Sequence, residues 1–361
     1  MTIVTDAKQP DFWRGSTTRA EADARFVFEA QFYKKLPGQK IKCRLCPRSC
    51  TVIEGKRGDC GARENRGGVF YSLVHSRIAA AHVDPIEKKP LFHYLPGSTA
   101  LSLGTAGCNV HCKFCQNWEL AQSRPEEASA EYLPPYRIPQ LARQHGCPTI
   151  AFTYNEPTIF SEYLMETADA VHKAGLRSIA VSNGYIGPEA LEAVFGKMDA
   201  VKIDLKAFSD AFYRDVVQGQ LKPVLTSLVT LRKLGKWIEI VYLLVPALND
   251  GDEELRGLAQ WIKANLGVDV PLHFSQFHPD YLLKSLPITP VSTLERAKAI
   301  ADAEGLRYVY IGNVPGHTAQ NTRCPQCKAV LVERTGFSAG KMLIQNGCCP
   351  FCQTQIPGVW Q

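Results

Sequence analysis

The chain has 361 residues, of which 45% are hydrophobic and 21% charged, as in an ordinary globular protein with a sizeable core. Its formal charge of +6 comes from 41 basic and 35 acidic residues that form no long run of one sign, so no nucleic-acid partner is indicated. We see neither a membrane-spanning stretch nor a secretory leader pattern, and therefore expect a cytoplasmic location.

The 13 cysteines carry the most information. In a reducing compartment, closely spaced cysteines are metal or cluster ligands more often than disulfides. All but Cys147 fall in three groups, and Cys147 is expected to be a small buried apolar residue.

Residues 1–95 are predicted to form a separate N-terminal cap, with a helix over about 19–36 and a hairpin around Gly67 and Gly68. This region contains four cysteines, Cys43, Cys46, Cys50 and Cys60. Four thiolates could hold either Zn²⁺ or a [4Fe–4S] cluster.

Residues 96–317 alternate between short apolar runs and helical periodicity. Because short continuous apolar runs are typical of strands buried on both faces, the pattern predicts repeated βα units with a parallel sheet. We interpret this region as a full or partial (β/α) barrel, whose strand ends carry the chemistry. The predicted strands cover 100–104, 149–154, 177–182, 200–205, 237–245, 271–277 and 307–311.

A cysteine loop follows the first of these strands directly. Cys108, Cys112 and Cys115 are spaced Cys-x3-Cys-x2-Cys, so three thiolates can face one [4Fe–4S] cluster and leave one iron without a protein ligand. A zinc site would need a fourth ligand, and the nearby His111 has poor spacing for that role.

Polar residues end the next three strands, where they could bind a ligand. Each has a structural alternative: Asn155 and Glu156 could begin a helix, Asn183 could belong to a plain turn, and Asp204 with Lys206 could form an ion pair. His278 could take part in proton transfer or be an ordinary loop histidine.

Residues 318–361 form a cysteine-bearing tail. Two Cys-Pro-x-Cys knuckles flank a segment whose pattern predicts two strands. This arrangement predicts a zinc ribbon, with a rubredoxin-like iron site as the alternative. The predicted ligands are Cys324, Cys327, Cys349 and Cys352, which leaves Cys348 as a spare.

These motifs resemble the radical S-adenosylmethionine superfamily and, within it, the AmmeMemoRadiSam-system radical enzymes, which are similar to pyruvate formate-lyase activating enzymes. The resemblance covers residues 40–360. It is carried by Asp84–Pro90 with the following Pro-Gly-Ser, the Cys108–Trp118 loop, Gly312–Gly316 and the terminal ribbon.

The resemblance implies a [4Fe–4S] cluster that reductively cleaves S-adenosylmethionine to a 5′-deoxyadenosyl radical, which abstracts hydrogen from an unidentified substrate. It places Phe114 near adenine, Glu156 at the cofactor's amino group and Asn183 near its ribose and carboxylate. Lys206 would meet the carboxylate, with Asp204 orienting it. Of the superfamily's Gly-Gly-Glu-Pro motif only Glu156 and Pro157 match, because Tyr154 and Asn155 replace the glycines.

The family further implies a flavodoxin- or ferredoxin-type electron donor and associated proteins of the Memo and AMMECR types. Relatives with extra clusters usually insert the cysteines after the first barrel strand, so the N-terminal position of Cys43–Cys60 favours zinc there. A dedicated glycyl-radical activase is the narrower alternative, and a non-catalytic metal-binding interaction protein is the alternative of another class. Lys88 and Lys89 could be solvated or could meet an anionic substrate.

Overall fold

Short antiparallel strands form the N-terminal region of the computed structural model, which describes residues 24–361. The strands are β1 (Phe28–Glu29), β2 (Tyr33–Leu36), β3 (Lys40–Cys43), β4 (Thr51–Val52), β5 (Arg63–Arg66), β6 (Val69–Ser72) and β7 (Arg77–Ile78). The first six form two small sheets, in the orders β2–β3–β4 and β1–β6–β5. The predicted hairpin at Gly67 and Gly68 is confirmed, since β5 and β6 pair on either side of it.

The predicted helix over 19–36 is wrong within the described part of the chain, where β1 and β2 lie, and residues 19–23 fall outside that part. Phe26 and Ala30 are buried, and between them the Phe28 ring stacks on His75 with centroids 4.3 Å apart. Apolar residues at every second position suit a strand, and pairing with β6 overrides any helical preference.

The centre of the molecule is an eight-stranded sheet in the order β16–β15–β14–β13–β12–β11–β9–β8. All neighbours are parallel except the antiparallel pair β8 and β9. The prediction of an α/β fold with a mostly parallel sheet is confirmed. The sheet is open, with β8 and β16 at its edges, and we keep the name barrel for this region. The strands of this region are β8 (Ala80–Pro85), β9 (Thr99–Gly104), β10 (Glu131–Tyr132), β11 (Thr149–Phe152), β12 (Arg177–Ser182), β13 (Ala200–Asp204), β14 (Trp237–Leu244), β15 (Leu272–Gln276) and β16 (Val309–Gly312).

Two features lie outside the central parallel pattern. β8 belongs to the central sheet although it falls within residues 1–95, the predicted cap. The short β10 pairs with β7 of the N-terminal region. The N-terminal strands and the barrel also share one hydrophobic core, in which Ile41 and Phe70 join Phe152 and Ile159.

Helices connect the parallel strands and cover the sheet. They bury apolar faces such as that of Leu255, Leu258 and Ile262. Within residues 24–361, no helix is long and apolar enough to cross a membrane. The helices are α1 (Trp118–Ala121), α2 (Ile138–Gln144), α3 (Ser161–Lys173), α4 (Pro188–Phe195), α5 (Asp210–Phe212), α6 (Leu221–Lys233), α7 (Asp252–Asn265) and α8 (Val291–Ala303), with short turns at Ile86–Lys88, Pro135–Arg137, Pro157–Phe160, Tyr213–Val217 and Thr318–Gln320.

The tail forms a three-stranded sheet of β17 (Thr322–Arg323), β18 (Val330–Thr335) and β19 (Ser338–Met342), so its two predicted strands are confirmed. It packs on the β16 edge of the barrel through a cluster that includes Phe92, Tyr310 and Leu331. Arg334 is buried and donates a 2.7 Å hydrogen bond to the Phe92 carbonyl oxygen. The tail is therefore fixed against the barrel.

Candidate active site at the carboxyl ends of the strands

A cavity of about 450 Å³ opens at the carboxyl ends of the parallel strands. The hairpin between β18 and β19 contributes Gly336 and Phe337 to its wall. Of the described residues that line it, the only cysteines are those of the predicted cluster loop. All the residues predicted to bind the cluster or S-adenosylmethionine line this one cavity: Cys108, Cys112, Phe114, Cys115, Asn155, Glu156, Asn183, Asp204 and Lys206.

The cysteine loop is held in place from two sides. The Asn155 amide donates to the Thr105 hydroxyl at 3.0 Å and to the Gly107 carbonyl oxygen at 2.8 Å, and its own oxygen accepts from the Thr105 N–H at 3.2 Å. On the other side, the backbone N–H groups of His111 and Lys113 donate to carbonyl oxygens in the Tyr213–Val217 turn, each at 3.0 Å. Asn155 therefore shapes the loop through contacts within the chain.

The loop also fits tightly against the N-terminal region at Gly107. Its φ is +95°, and a Cβ at this position would lie 2.5 Å from the Cys60 carbonyl oxygen. Only glycine tolerates both the backbone conformation and this close approach.

His111 is not available as a fourth ligand. Its Nε2 lies 2.7 Å from the Asp59 carboxylate and its Nδ1 lies 2.8 Å from the Gln122 side-chain oxygen. Both ring nitrogens thus have partners outside the group of three thiols, which argues against a mononuclear zinc site in this loop.

Glu156 is buried and has four hydrogen bonds within the chain. One oxygen accepts from the Thr158 N–H at 2.9 Å, the Thr158 hydroxyl at 2.7 Å and the Ser182 hydroxyl at 2.7 Å. The other accepts from the Asn183 N–H at 2.8 Å. Burial raises the pKa of this carboxyl, although these hydrogen bonds oppose the effect. The contacts match the helix-start alternative, so a direct contact of Glu156 with the cofactor's amino group stays a prediction.

Asn183 extends this connection to the cysteine loop. Its amide nitrogen donates to the Asn109 side-chain oxygen at 2.9 Å and lies 3.9 Å from the Cys108 sulfur. Glu156 and Asn183 therefore link the ends of β11 and β12 to the first cysteine of the loop.

Asp204 lies between two lysines on β13 and the following loop. Its carboxylate accepts from Lys206 Nζ at 3.1 Å and makes a second, shorter ion pair with the buried Lys202. Burial alone would raise the pKa of Asp204, but the two lysines lower it to about 2. The Lys206 ammonium lies 6.0 Å from the centre of the Phe114 ring, so the cation and the predicted adenine-facing ring are neighbours.

Lys202 was not predicted, although the sequence contains a signal for it. Residues two apart on a strand share a face, so Lys202 and Asp204, with Lys206 just beyond the strand, point the same way. A lysine inside an apolar run is costly unless it is paired, which identifies such a position as part of a polar site.

The sequence identifies Lys89 as a possible partner of an anionic substrate but not its pairing within the chain, which depends on contacts between β8 and the segments that follow β8 and β11. Lys89 Nζ lies 2.7 Å from the Asp84 carboxylate and also contacts the Ser102 hydroxyl. The Tyr154 hydroxyl donates to the same carboxylate at 2.7 Å. Burial lowers the pKa of Lys89 to about 8, against the effect of Asp84. The alternative of two solvated lysines therefore fails for Lys89, whereas Lys88 is about half exposed, with 47% of its side chain accessible.

The remaining predicted residues lie outside this cavity. In the tail, Cys324, Cys327, Cys349 and Cys352 have ligand atoms that all lie within 4.8 Å of one another, while Cys348 stands outside the set. Such convergence is compatible with one four-coordinate metal ion. The four N-terminal cysteines line a separate small cavity. His278 is exposed and Cys147 is buried.

Comparisons with known proteins give a family match and, among others, two relatives and one solved structure. The model of the Radical SAM superfamily matches residues 102–262. An uncharacterised protein of Methanocaldococcus jannaschii is 42% identical over 330 residues, covering 91% of this chain and 98% of the relative. The pyruvate formate-lyase-activating enzyme of Clostridium pasteurianum is 24% identical over 196 residues, covering 50% of this chain and 80% of that enzyme. A solved radical SAM methyltransferase from Sphaerobacter thermophilus has a TM-score of 0.47 at 17% identity, over 61% of this chain and 68% of that one.

Proposed function

This chain belongs to the radical SAM superfamily, and we propose that it is an enzyme that cleaves S-adenosylmethionine at the Cys108 loop and uses the resulting radical on a substrate in the barrel cavity. The superfamily implies a [4Fe–4S] cluster and S-adenosylmethionine as cofactors. The observation that carries the proposal is the set of three thiols, Cys108, Cys112 and Cys115, in the wall of a cavity that contains no other cysteine among the described residues.

The donor set fits such a cluster. Three thiolates bind three irons and leave the fourth open, whereas four thiolates would complete the coordination of the cluster. His111, the nearest other ligand type, is engaged by Asp59 and Gln122. When bound and reduced, the cluster would supply the electron for cleavage of S-adenosylmethionine to methionine and a 5′-deoxyadenosyl radical, which would remove a hydrogen atom from the substrate.

The chain's own residues position these parts. Asn155 fixes the backbone of the cysteine loop, and Asn183 connects Cys108 to the end of β12. We propose that Lys206, oriented by Asp204, binds the carboxylate of S-adenosylmethionine while the neighbouring Phe114 lies along its adenine. The hairpin of β18 and β19, with Phe337, covers part of the cavity and would limit access of water to a radical there.

We further propose that the chain is of the AmmeMemoRadiSam type and acts with Memo- and AMMECR-type proteins. The resemblance of Asp84–Pro90, Cys108–Trp118 and the tail supports this assignment. A flavodoxin- or ferredoxin-type protein would supply the electron, as is usual for radical SAM activases. The narrower alternative is a glycyl-radical activase, which the similarity to the Clostridium pasteurianum enzyme supports.

The domain division and the metal of the tail belong to the same proposal. We propose an N-terminal cap, a barrel and a terminal ribbon, with Zn²⁺ bound by the four clustered thiols of the tail. The second boundary lies near residue 317, and the first moves from residue 95 to just before β8, because that strand belongs to the central sheet. The mutual distances of these thiols support a single ion there.

The test of this function is an anaerobic assay with reduced, cluster-loaded protein and S-adenosylmethionine. We expect 5′-deoxyadenosine and methionine in equal amounts, and neither product from a Cys108→Ala, Cys112→Ala, Cys115→Ala triple variant. Cys147→Ala is the matched control, because this buried cysteine lies outside the three groups. Equal product formation by the parent and the triple variant would refute the proposal. If the parent forms both products, cell-extract fractions that raise their yield can be used to identify the substrate.

A further inference from the structure

The thiols of this chain fall into two geometric classes. Among residues 24–361, the tail tetrad is the only group of three or more potential metal-binding side chains whose ligand atoms all lie within 4.8 Å of one another. One zinc ion requires such convergence, because every sulfur lies about 2.3 Å from it. In a [4Fe–4S] cluster each thiolate binds a different iron, so the sulfurs stay farther apart. Cys43, Cys46, Cys50 and Cys60 lack the zinc-like convergence, as do the three thiols of the Cys108 loop.

The four N-terminal cysteines nevertheless line the same cavity. All of them line a single small cavity, together with the apolar side chains of Leu45, Phe70 and Ile159. Its backbone walls are already formed, since the Cys43 N–H donates to the Cys50 carbonyl oxygen at 2.9 Å. Four thiols that share one cavity without meeting at one point suit an occupant that offers each of them a separate metal atom.

Positive charge accompanies this site. Arg48 and the buried Arg63 both line the cavity. Arg63 pairs with Glu162 at 2.5 Å, and Arg48 lies 2.7 Å from the Asp59 carboxylate. Two fixed guanidinium groups beside the thiols reduce the cost of placing a negatively charged cluster in a largely buried position.

The cavity also touches the loop of the active site. Asn109, which follows Cys108, is one of its lining residues, and Arg48 donates to the Asn109 carbonyl oxygen at 2.6 Å. Cys60 and Cys108 together line another cavity, and the Cys60 carbonyl oxygen packs against Gly107. The two cysteine sites are therefore direct neighbours.

From these observations we propose that Cys43, Cys46, Cys50 and Cys60 hold a second [4Fe–4S] cluster, in place of the zinc that their position in the sequence favours. With four thiolates this cluster has no open iron, so its chemistry is electron transfer. It accepts one electron from the low-potential flavodoxin- or ferredoxin-type donor and passes one electron to the Cys108 site, with no other bond made or broken. The identity of the electron acceptor rests on the proposed function, whereas the cluster assignment does not.

The experiment uses the full-length triple variant of Cys108, Cys112 and Cys115, purified anaerobically and analysed for iron, sulfide and zinc. We expect about four irons per chain in this variant and about eight in the parent, with the EPR signal of a reduced [4Fe–4S] cluster in both. Adding Cys43→Ala and Cys60→Ala should remove the remaining iron, while Cys147→Ala should change nothing. A triple variant without iron, or with a second zinc ion beside that of the tail, would overturn the proposal.

The parent protein provides a test that does not depend on the folding of the variants. Iron near eight atoms per chain supports the proposal and iron near four overturns it. In the doubly reduced parent, the two clusters should broaden each other's EPR signals, and a spectrum equal to the sum of two isolated clusters would refute electron exchange between neighbours. Failure of the proposed function has a different signature: iron near eight atoms per chain without formation of 5′-deoxyadenosine.

Discussion

The Cys108 loop and the tail tetrad are both built from closely spaced cysteines, yet their geometries differ. The three thiols of the loop lie in the wall of a cavity of about 450 Å³ that is also lined by charged side chains. In the tail, the sulfurs of Cys324 and Cys352 are 3.5 Å apart, and those of Cys327 and Cys349 are 3.6 Å apart. The loop leaves space for a ligand next to its thiols, whereas the tail brings four thiols to one point.

Under the proposed function, this difference separates a reactive site from a structural one. An open coordination position allows a cofactor to bind, whereas a closed four-thiolate site contributes its binding energy to folding. The surroundings agree, since Lys202, Asp204 and Lys206 converge beside the loop, while the tail tetrad adjoins the apolar cluster of Phe92, Tyr308 and Leu331. Substitutions in the tail tetrad should therefore lower stability more than cofactor cleavage. Substitutions at the loop should lower cofactor cleavage more than stability.

The largest expected effect is on the folding of the tail. Cys324→Ser with Cys327→Ser should remove one metal ion per chain and make the tail sensitive to proteolysis, because structural zinc contributes on the order of 10 kcal/mol to small domains. Cofactor cleavage should survive in part, since none of the tetrad lines the active cavity, although Phe337 of the tail does. Metal analysis, limited proteolysis and the 5′-deoxyadenosine assay measure these effects. Cys348→Ser is the control, and a tail equally resistant to protease without metal would contradict the structural role.

A smaller effect, confined to chemistry, is expected at the cation beside the loop. Lys206→Met removes the proposed partner of the cofactor's carboxylate and should weaken S-adenosylmethionine binding roughly ten- to a hundredfold, the range for hydrogen bonds to charged groups. Calorimetric titration of the anaerobic protein measures this, with Lys233→Met at the exposed end of α6 as the control. Unchanged affinity would remove Lys206 from the site.

An effect of similar or smaller size is expected for Glu156→Gln, which decides between the two interpretations of this residue. The amide would place a donor against the donors of Thr158, Ser182 or Asn183, so we expect a loss of about 1–3 kcal/mol in the free energy of unfolding. Thermal melts and cofactor titrations are to be run side by side. Unchanged stability with a large loss of affinity would instead show a direct contact with the amino group of S-adenosylmethionine.

Much of the barrel could be predicted from the sequence because its signals are local. Continuous apolar runs correspond to β9 and β11–β16, and the chemistry-bearing residues follow those runs, so their meeting at one edge of the sheet follows from parallel topology. The shared face of Asp204 and Lys206 follows from the two-residue period of a strand.

The remaining features depend on contacts between distant segments. Asp84 and Tyr154 meet only because β8 pairs with β9 and β11 pairs with β9. Two of the four hydrogen bonds to the Glu156 carboxylate come from backbone N–H groups, which no side-chain pattern reveals. In the N-terminal region, two-residue strands such as β1 are too short for a periodic signal and are defined by their pairing with β6.

The most direct test of the difference between the open and the closed site is whether S-adenosylmethionine binds to the iron of the Cys108 cluster. The measurement is EPR with electron–nuclear double resonance on reduced protein, using cofactor labelled with a magnetic isotope at its amino nitrogen. We predict that binding shifts the signal that the Cys108, Cys112, Cys115 triple variant lacks, and that the labelled nitrogen couples to it. A signal that neither shifts nor couples would contradict an open iron at this loop.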